Sequence, residues 1–278
     1  MGRNQTDYQR MKFRTSPVFQ LLLAERRYSN AWYLIFLLLL TLPPALALAV
    51  TPVADVPGVV AATRAQITYL ELLVILFCYY GLCVLQISHR QRQRGQRLLW
   101  RSMGMSDGQI FAHIFLLFAM EIGVVSFLAL LLCAAWGNYT PNWNATCLQA
   151  WLCIWLAALI PLSMAIGIAQ RLSLGLATLL IIFFNICGLY AVPLLDMFRN
   201  NNQTSALWQI VSEKLWAVMP QISLADQSER ITFSWQPIPW LGFDYLMAYL
   251  FVWCGVTFYV GYKLFRRDPV TATMKASA

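Results

Sequence analysis

The chain has 278 residues, of which 59% belong to the hydrophobic set and only 12% are charged, where a soluble domain carries about 25% charged residues. Together with a mean hydropathy of +0.58, this excludes a soluble globular protein, a disordered chain and a coiled coil. Lys+Arg 20 against Asp+Glu 12 leaves a net charge of +8, which suits a nucleic-acid partner, an anionic surface or membrane topology.

Residues 1–30 form a basic lead. Ser16 and Pro17 supply an N-cap and a first helical residue, and Glu25-Arg26-Arg27 closes the segment with cations at its C-terminal end. This stretch is too short and too charged to span. Its apolar side with flanking arginines predicts a helix lying in the cytoplasmic interface; a solvated lead-in to the first span is the plainer alternative. The first apolar run starts only near residue 31 and shows no small-residue cleavage site, so an anchor is expected rather than a removable signal peptide.

Six apolar runs have the length that about 30 Å of hydrocarbon requires of a helix. They cover 31–50, 68–88, 110–136, 147–169, 174–195 and 241–265. The expected fold is therefore an all-α integral membrane protein, one six-span domain over residues 1–278. Six spans put both termini, the 89–109 loop and the 170–173 loop on one side. Arg3, Arg10, Lys12, Arg14, Arg26, Arg27, Arg90, Arg92, Arg94, Arg97, Arg101, Arg171, Lys263, Arg266, Arg267 and Lys275 all fall there, sixteen of the twenty cations. Only Arg64, Arg199, Lys214 and Arg230 lie opposite. The positive-inside rule then places both termini in the cytoplasm. The cations abut span ends instead of interleaving with aromatics on a folded face, so no nucleic-acid partner is expected.

The 89–109 loop carries more than charge. A polar, basic first part leads into Leu98, Leu99 and Trp100, flanked by Arg97 and Arg101; Gly104 then breaks the helix and Ser106 can cap the next one. Insertion needs only the arginines. The apolar triplet adds a surface that a partner's groove could bury.

Polar residues inside spans are the default functional candidates. Glu121, about eleven residues into the third span, is the strongest, and Asn185 in the fifth is next. Glu121 either meets a proton, a cation or substrate, or serves as a helix–helix hydrogen-bonding or neutral buried carboxyl. Glu71, near the outer end of the second span, is expected to be solvated. Pro161 is a candidate kink. Seven cysteines with no CxxC or Cys/His spacing make neither a disulfide framework nor a zinc site. Cys133 and Cys147 flank one outer loop and could pair, or be two small apolar helix residues.

The outer loop 196–240 is the largest polar stretch. Trp208, Ile210, Val211, Leu215, Trp216 and Val218 recur at helical spacing, predicting a short external helix before the last span. Nothing in the chain suggests an enzyme: there is no H-E-x-x-H, no G-x-S-x-G and no intramembrane carboxylate pair. No resident metal is expected. Its four lysines never follow a G-x-x-x-x-G, so no phosphate-binding loop is present.

On the residues of the 89–109 loop the chain resembles the permease subunits of type 2 ABC exporters. In that family this loop reads roughly E/R-x-x-G-T-L-E-x-L-L-x-x-P-V-S-R-x-x-I. Gly95, Ser106 and Ile110 coincide with it, and Met105 matches in kind. Gln96, Leu98 and Gly104 depart from the Thr, Glu and Pro of the pattern. The ending Tyr262-Lys-Leu-Phe-Arg-Arg-Asp268 is similar to the family's closing x-x-x-F-R-R-R/K-D/E, and Met219 to Asp226 resembles a run in members grouped around multicopper-enzyme maturation and gliding. The stretch Arg101 to Ile110 also resembles the R-A-L-G-A-S-x-x-Q-I loop of the cell-division and macrolide-efflux permeases. That class typically has four spans and a large external domain, for which residues 51–67 leave no room.

The resemblance implies a permease in the bacterial cytoplasmic (inner) membrane that exports a substrate the sequence does not identify. It would pair as a homodimer or with a second permease subunit, and work with an ABC ATP-binding subunit in two copies that holds ATP and Mg. No cofactor is expected in this chain. The loop helix would be the coupling helix, with Arg94, Gly95, Arg97, Leu98, Leu99, Trp100 and Arg101 meeting the ATPase. The rival reading is a solitary secondary transporter, which would be expected to show an internal repeat of broken helices; residues 31–136 and 147–265 show no convincing one.

Overall fold

A computed structural model describes residues 57–76, 81–137, 140–200, 219–227 and 236–266, with isolated residues between them. The described residues are mostly helical, with short turns between the helices and no strand among them. Seven helices are α1 (Pro57–Val74), α2 (Gly81–Gln93), α3 (Gln96–Ser102), α4 (Asp107–Trp136), α5 (Pro141–Ala169), α6 (Leu174–Asn200) and α7 (Trp240–Arg266), and a single 3-10 turn covers Ile222–Ala225. By length and composition α4, α5 and α7 suffice to cross a membrane; the apolar stretch Leu174–Tyr190 of α6 is shorter. The basic lead, the run at 31–50 and most of the stretch predicted as an external helix lie outside the described residues.

Helix ends depart from the hydropathy runs where capping overrides hydrophobicity. α1 begins at Pro57, well ahead of the predicted 68, because a proline is pre-set for the first helical position. The polar residues that this start draws into the helix find local partners. Arg64 lies over the Trp136 ring at 5.2 Å, and Thr68 Oγ1 donates to the Arg64 carbonyl at 2.9 Å. α2 stays helical to Gln93, past the predicted 88, with Arg90 and Arg92 in its last turn, where cations favour the helix dipole. α5 starts at Pro141 behind Thr140 and runs through the buried Pro161 as one helix to Ala169. Ahead of 147, Trp143 Nε1 donates to the Cys133 carbonyl at 2.7 Å and ties the turn between α4 and α5.

α5 is the centre of the bundle. In their most apolar stretches α5 is 78% buried, α4 44% and α7 only 17%. Its closest neighbour is α7. A Cβ on Gly167 would strike the Gly261 carbonyl oxygen, and one on Gly261 would strike the carbonyl oxygen of Ser163. The two backbones therefore touch, as small residues allow where helices pack without a hydrophobic driving force. Beside this crossing Phe111 meets Phe258 edge-on at 5.0 Å and Phe265 at 5.4 Å. Leu116, Val124 and Phe127 on α4, Leu179 and Phe183 on α6, and Leu241, Phe251 and Val252 on α7 face outward. So much uncovered apolar surface, on helices whose backbone groups bond internally, suits lipid.

Candidate functional site

The end of the bundle that collects the basic loops is built by glycines, one serine and a set of arginines. Gly95, at φ 63°, stands ahead of α3, and its carbonyl accepts from Leu98 N at 2.9 Å and Leu99 N at 3.3 Å. The helix closes in a Schellman turn: Gly104, at φ 83°, donates its N–H to the Arg101 carbonyl at 2.9 Å, and Met105 N donates to the Trp100 carbonyl at 3.2 Å. Glycine adopts this left-handed conformation without the penalty a Cβ would bring. Ser106 then caps α4 in a reciprocal box, Gln109 N donating to Ser106 Oγ at 3.3 Å and Ser106 N to Gln109 Oε1 at 3.0 Å. The helix break at Gly104 and the cap at Ser106 are thus where the sequence puts them.

The face presented by α3 differs from the expected ridge. Successive residues turn by about 100°, so Leu98, Leu99 and Trp100 cannot share one side. Trp100 is 1% and Arg97 5% exposed, both turned into the bundle, whereas Leu98 at 58%, Leu99 at 55% and Met103 at 50% face out. Arg94 is exposed and Arg101 half-buried. The outward surface is two leucines and a methionine, with Arg94 near one end.

Arg97 and Arg101 turn inward because they meet at one carboxylate. Arg101 Nε and Nη2 grip the two oxygens of Asp107 at 2.7 and 2.6 Å. Arg97 reaches the same oxygens at 3.3 and 3.2 Å. It also donates to the Arg266 carbonyl at 3.4 Å and covers the Phe265 ring at 4.5 Å. Charge-assisted bonds of this kind contribute roughly 1.5–3 kcal/mol each where shielded, and less where Arg101 meets solvent. Asp107 is the residue that sequence reasoning missed. Its signal was an acid in the first turn of a helix, but nothing in the spacing pairs it with residues six and ten positions earlier until the Gly104 turn folds α3 back.

Further bonds knit the same end. Arg92 Nη1 donates to the Leu172 carbonyl at 3.4 Å, Arg171 Nε to the Leu264 carbonyl at 2.9 Å and Gln170 Nε2 to the Ser88 carbonyl at 3.1 Å. The ends of α2, α5 and α7, the start of α6 and the whole of α3 are held together. Gln91 is buried here and, among the described residues, neither of its amide atoms is hydrogen-bonded.

The other candidates sit apart. Glu121 is half-buried on α4 and Asn185 is buried on α6. The two helices pack against α5. Glu71 corrects the expectation of a solvated carboxyl: both its oxygens are buried and, among the described residues, neither has a hydrogen-bond partner. Because α1 begins at Pro57 and not at 68, Glu71 lies well inside the helix and not near its first turn. Cys133 and Cys147 are buried free thiols lining one small cavity with Tyr69, Ser126 and Trp151, so the pairing alternative is not realised. Among the described residues no three His, Cys, Asp or Glu side chains come close enough to hold a metal ion.

Compared with protein-family models, with curated protein sequences and with solved structures, the chain matches none.

Proposed function

We propose that the chain is the membrane-spanning permease subunit of an ATP-driven ABC exporter of the type 2 kind, with six spans and both termini in the cytoplasm. It works as a homodimer or with a second permease subunit and carries no catalytic residue itself. Two copies of a separate ATP-binding subunit, holding ATP and Mg, dock on the 94–101 segment. The observation that carries this reading is α3: a short helix fastened by Arg97, Trp100 and Arg101 to the polar end of an apolar bundle, with Leu98, Leu99 and Met103 left outward. Its opposite face is the one packed on the bundle, so the exposed leucines point away from the spans that lipid covers. A protein groove is the environment that would bury them. The arginine-rich end is then the cytoplasmic one.

A second reading, a permease of the cell-division and macrolide-efflux class, draws support from the Arg101 to Ile110 stretch. There Arg101, Gly104, Ser106 and Gln109 each hold a specific turn contact. Both readings require an ATPase partner, and a solitary secondary transporter does not. Gentle solubilisation from the native membrane is therefore expected to bring down a protein with an ATP-binding cassette. Leu98→Asp with Leu99→Asp is expected to release it while the chain remains inserted and folded, since both side chains lie outside the core. An unaccompanied wild-type chain, or a double variant that retains the ATPase, would reject the assignment.

A further inference from the structure

We propose that Asp107 is a positioning residue that locks α3 to the first turn of α4 and, through Arg97, to the last turn of α7, so that a load on Leu98 and Leu99 reaches both helices at once. This rests on the reading of α3 as a docking helix. The chain links at either end of α3 are held by local backbone bonds, Gly95 N to the Arg92 carbonyl and Gly104 N to the Arg101 carbonyl. Neither of these bonds reaches α7. Trp100 fixes where the helix rests, but apolar burial has no direction. Direction comes from the paired 2.7 and 2.6 Å bonds of Arg101 to Asp107, a fork on a carboxylate that defines an angle as well as a distance.

The connection to α7 depends on the same carboxylate. Arg97 is almost fully buried, and a buried guanidinium requires a counter-charge. Among the described residues Asp107 is the acid that meets it. With that charge in place Arg97 stays against Phe265 and the Arg266 carbonyl. Without it Arg97 loses the ion pair that holds its Nε and Nη2, and its hold on the end of α7 weakens. One carboxylate therefore serves two joints, α3 to α4 and α3 to α7.

The test is amide hydrogen exchange on the full-length chain in lipid nanodiscs. Asp107→Asn is expected to raise exchange at least about tenfold, as loss of shielded charge-assisted bonds does, both in Gln96–Ser102 and in the last turn of α7, while the centre of α5 is unchanged. Asp107→Glu, which keeps the charge, should recover most of the protection. Unchanged exchange in α3, or a loosened α3 with the end of α7 protected as before, overturns the proposal. If the Asn variant does not accumulate, Arg101→Gln leaves Arg97 on Asp107 and should loosen α3 alone; an unchanged α3 there is equally fatal. With a co-purified ATPase, ATP and vanadate should alter exchange at the end of α7 in the wild type and not in Asp107→Asn, although the ATPase stays bound. An ATP and vanadate response that persists in the variant overturns the proposal. Absence of any ATPase defeats the docking reading, and the exchange measurement still decides the clamp.

Discussion

Replacing Gly261 by alanine tests the α5–α7 crossing with a control on the same helix. The new methyl carbon would land against the Ser163 carbonyl oxygen, 2.8 Å from the carbonyl carbon and 3.3 Å from Phe111 Cζ. Backbone cannot rotate away as a side-chain tip can, so the helices must separate, and overpacking of this kind costs about 1–3 kcal/mol. Gly255, two turns earlier on α7, has nothing within 4 Å of the same position. There alanine brings only its better helix propensity, about 1 kcal/mol in its favour. Gly261→Ala gains that propensity too, so the difference between the two variants isolates the contact at about 1–3 kcal/mol. Thermal unfolding in detergent, followed by tryptophan fluorescence, should put the Gly255→Ala midpoint at or above wild type and the Gly261→Ala midpoint below it. Equal midpoints for the two alanine variants would mean that α5 and α7 do not meet backbone to backbone.

Gly104→Ala should lower stability by roughly 1–2 kcal/mol, the cost of a Cβ at left-handed φ, and Gly104→Pro by more, since it also removes the N–H that bonds the Arg101 carbonyl; a proline variant as stable as wild type would refute the Schellman turn. Gln91→Leu should raise stability by about 1–3 kcal/mol, because the two polar atoms of its buried amide lose their desolvation penalty; a loss measured in the same unfolding assay would show that water or another group satisfies them.

Much of the loop was legible because its signals are local. A glycine at a helix C-terminus, a serine three residues ahead of a glutamine, and an apolar run behind them specify the turn at Gly104, the cap at Ser106 and the start of α4 without reference to the rest of the chain. The three helices long and apolar enough to span follow equally from hydropathy. What remained hidden depends on contacts distant in sequence. Whether Leu98 or Trp100 faces inward is decided by how α3 packs on α2 and α4, and the turning of Arg97 into the bundle is decided by Asp107 and Phe265. The early start of α1 escaped a hydropathy reading for another reason: Thr63, Arg64 and Gln66 look like a loop until Trp136 supplies a surface for the guanidinium.

Three arginines in the basic end of the bundle give their N–H groups to carbonyls of other segments: Arg92 to Leu172, Arg97 to Arg266 and Arg171 to Leu264. The last two close carbonyls in the final turn of α7, which have no partner within their own helix. Under the orientation proposed above, the same side chains are therefore used twice, first as an address during insertion, then as fasteners between segments once the chain is folded. Insertion counts charge and treats lysine and arginine alike; the fastening does not, because it needs a planar group that donates in several directions. Membrane orientation and the integrity of this end of the bundle are thus separable properties of one set of residues. The scarcity of lysine, present only at positions 12, 214, 263 and 275, accords with the second use rather than the first.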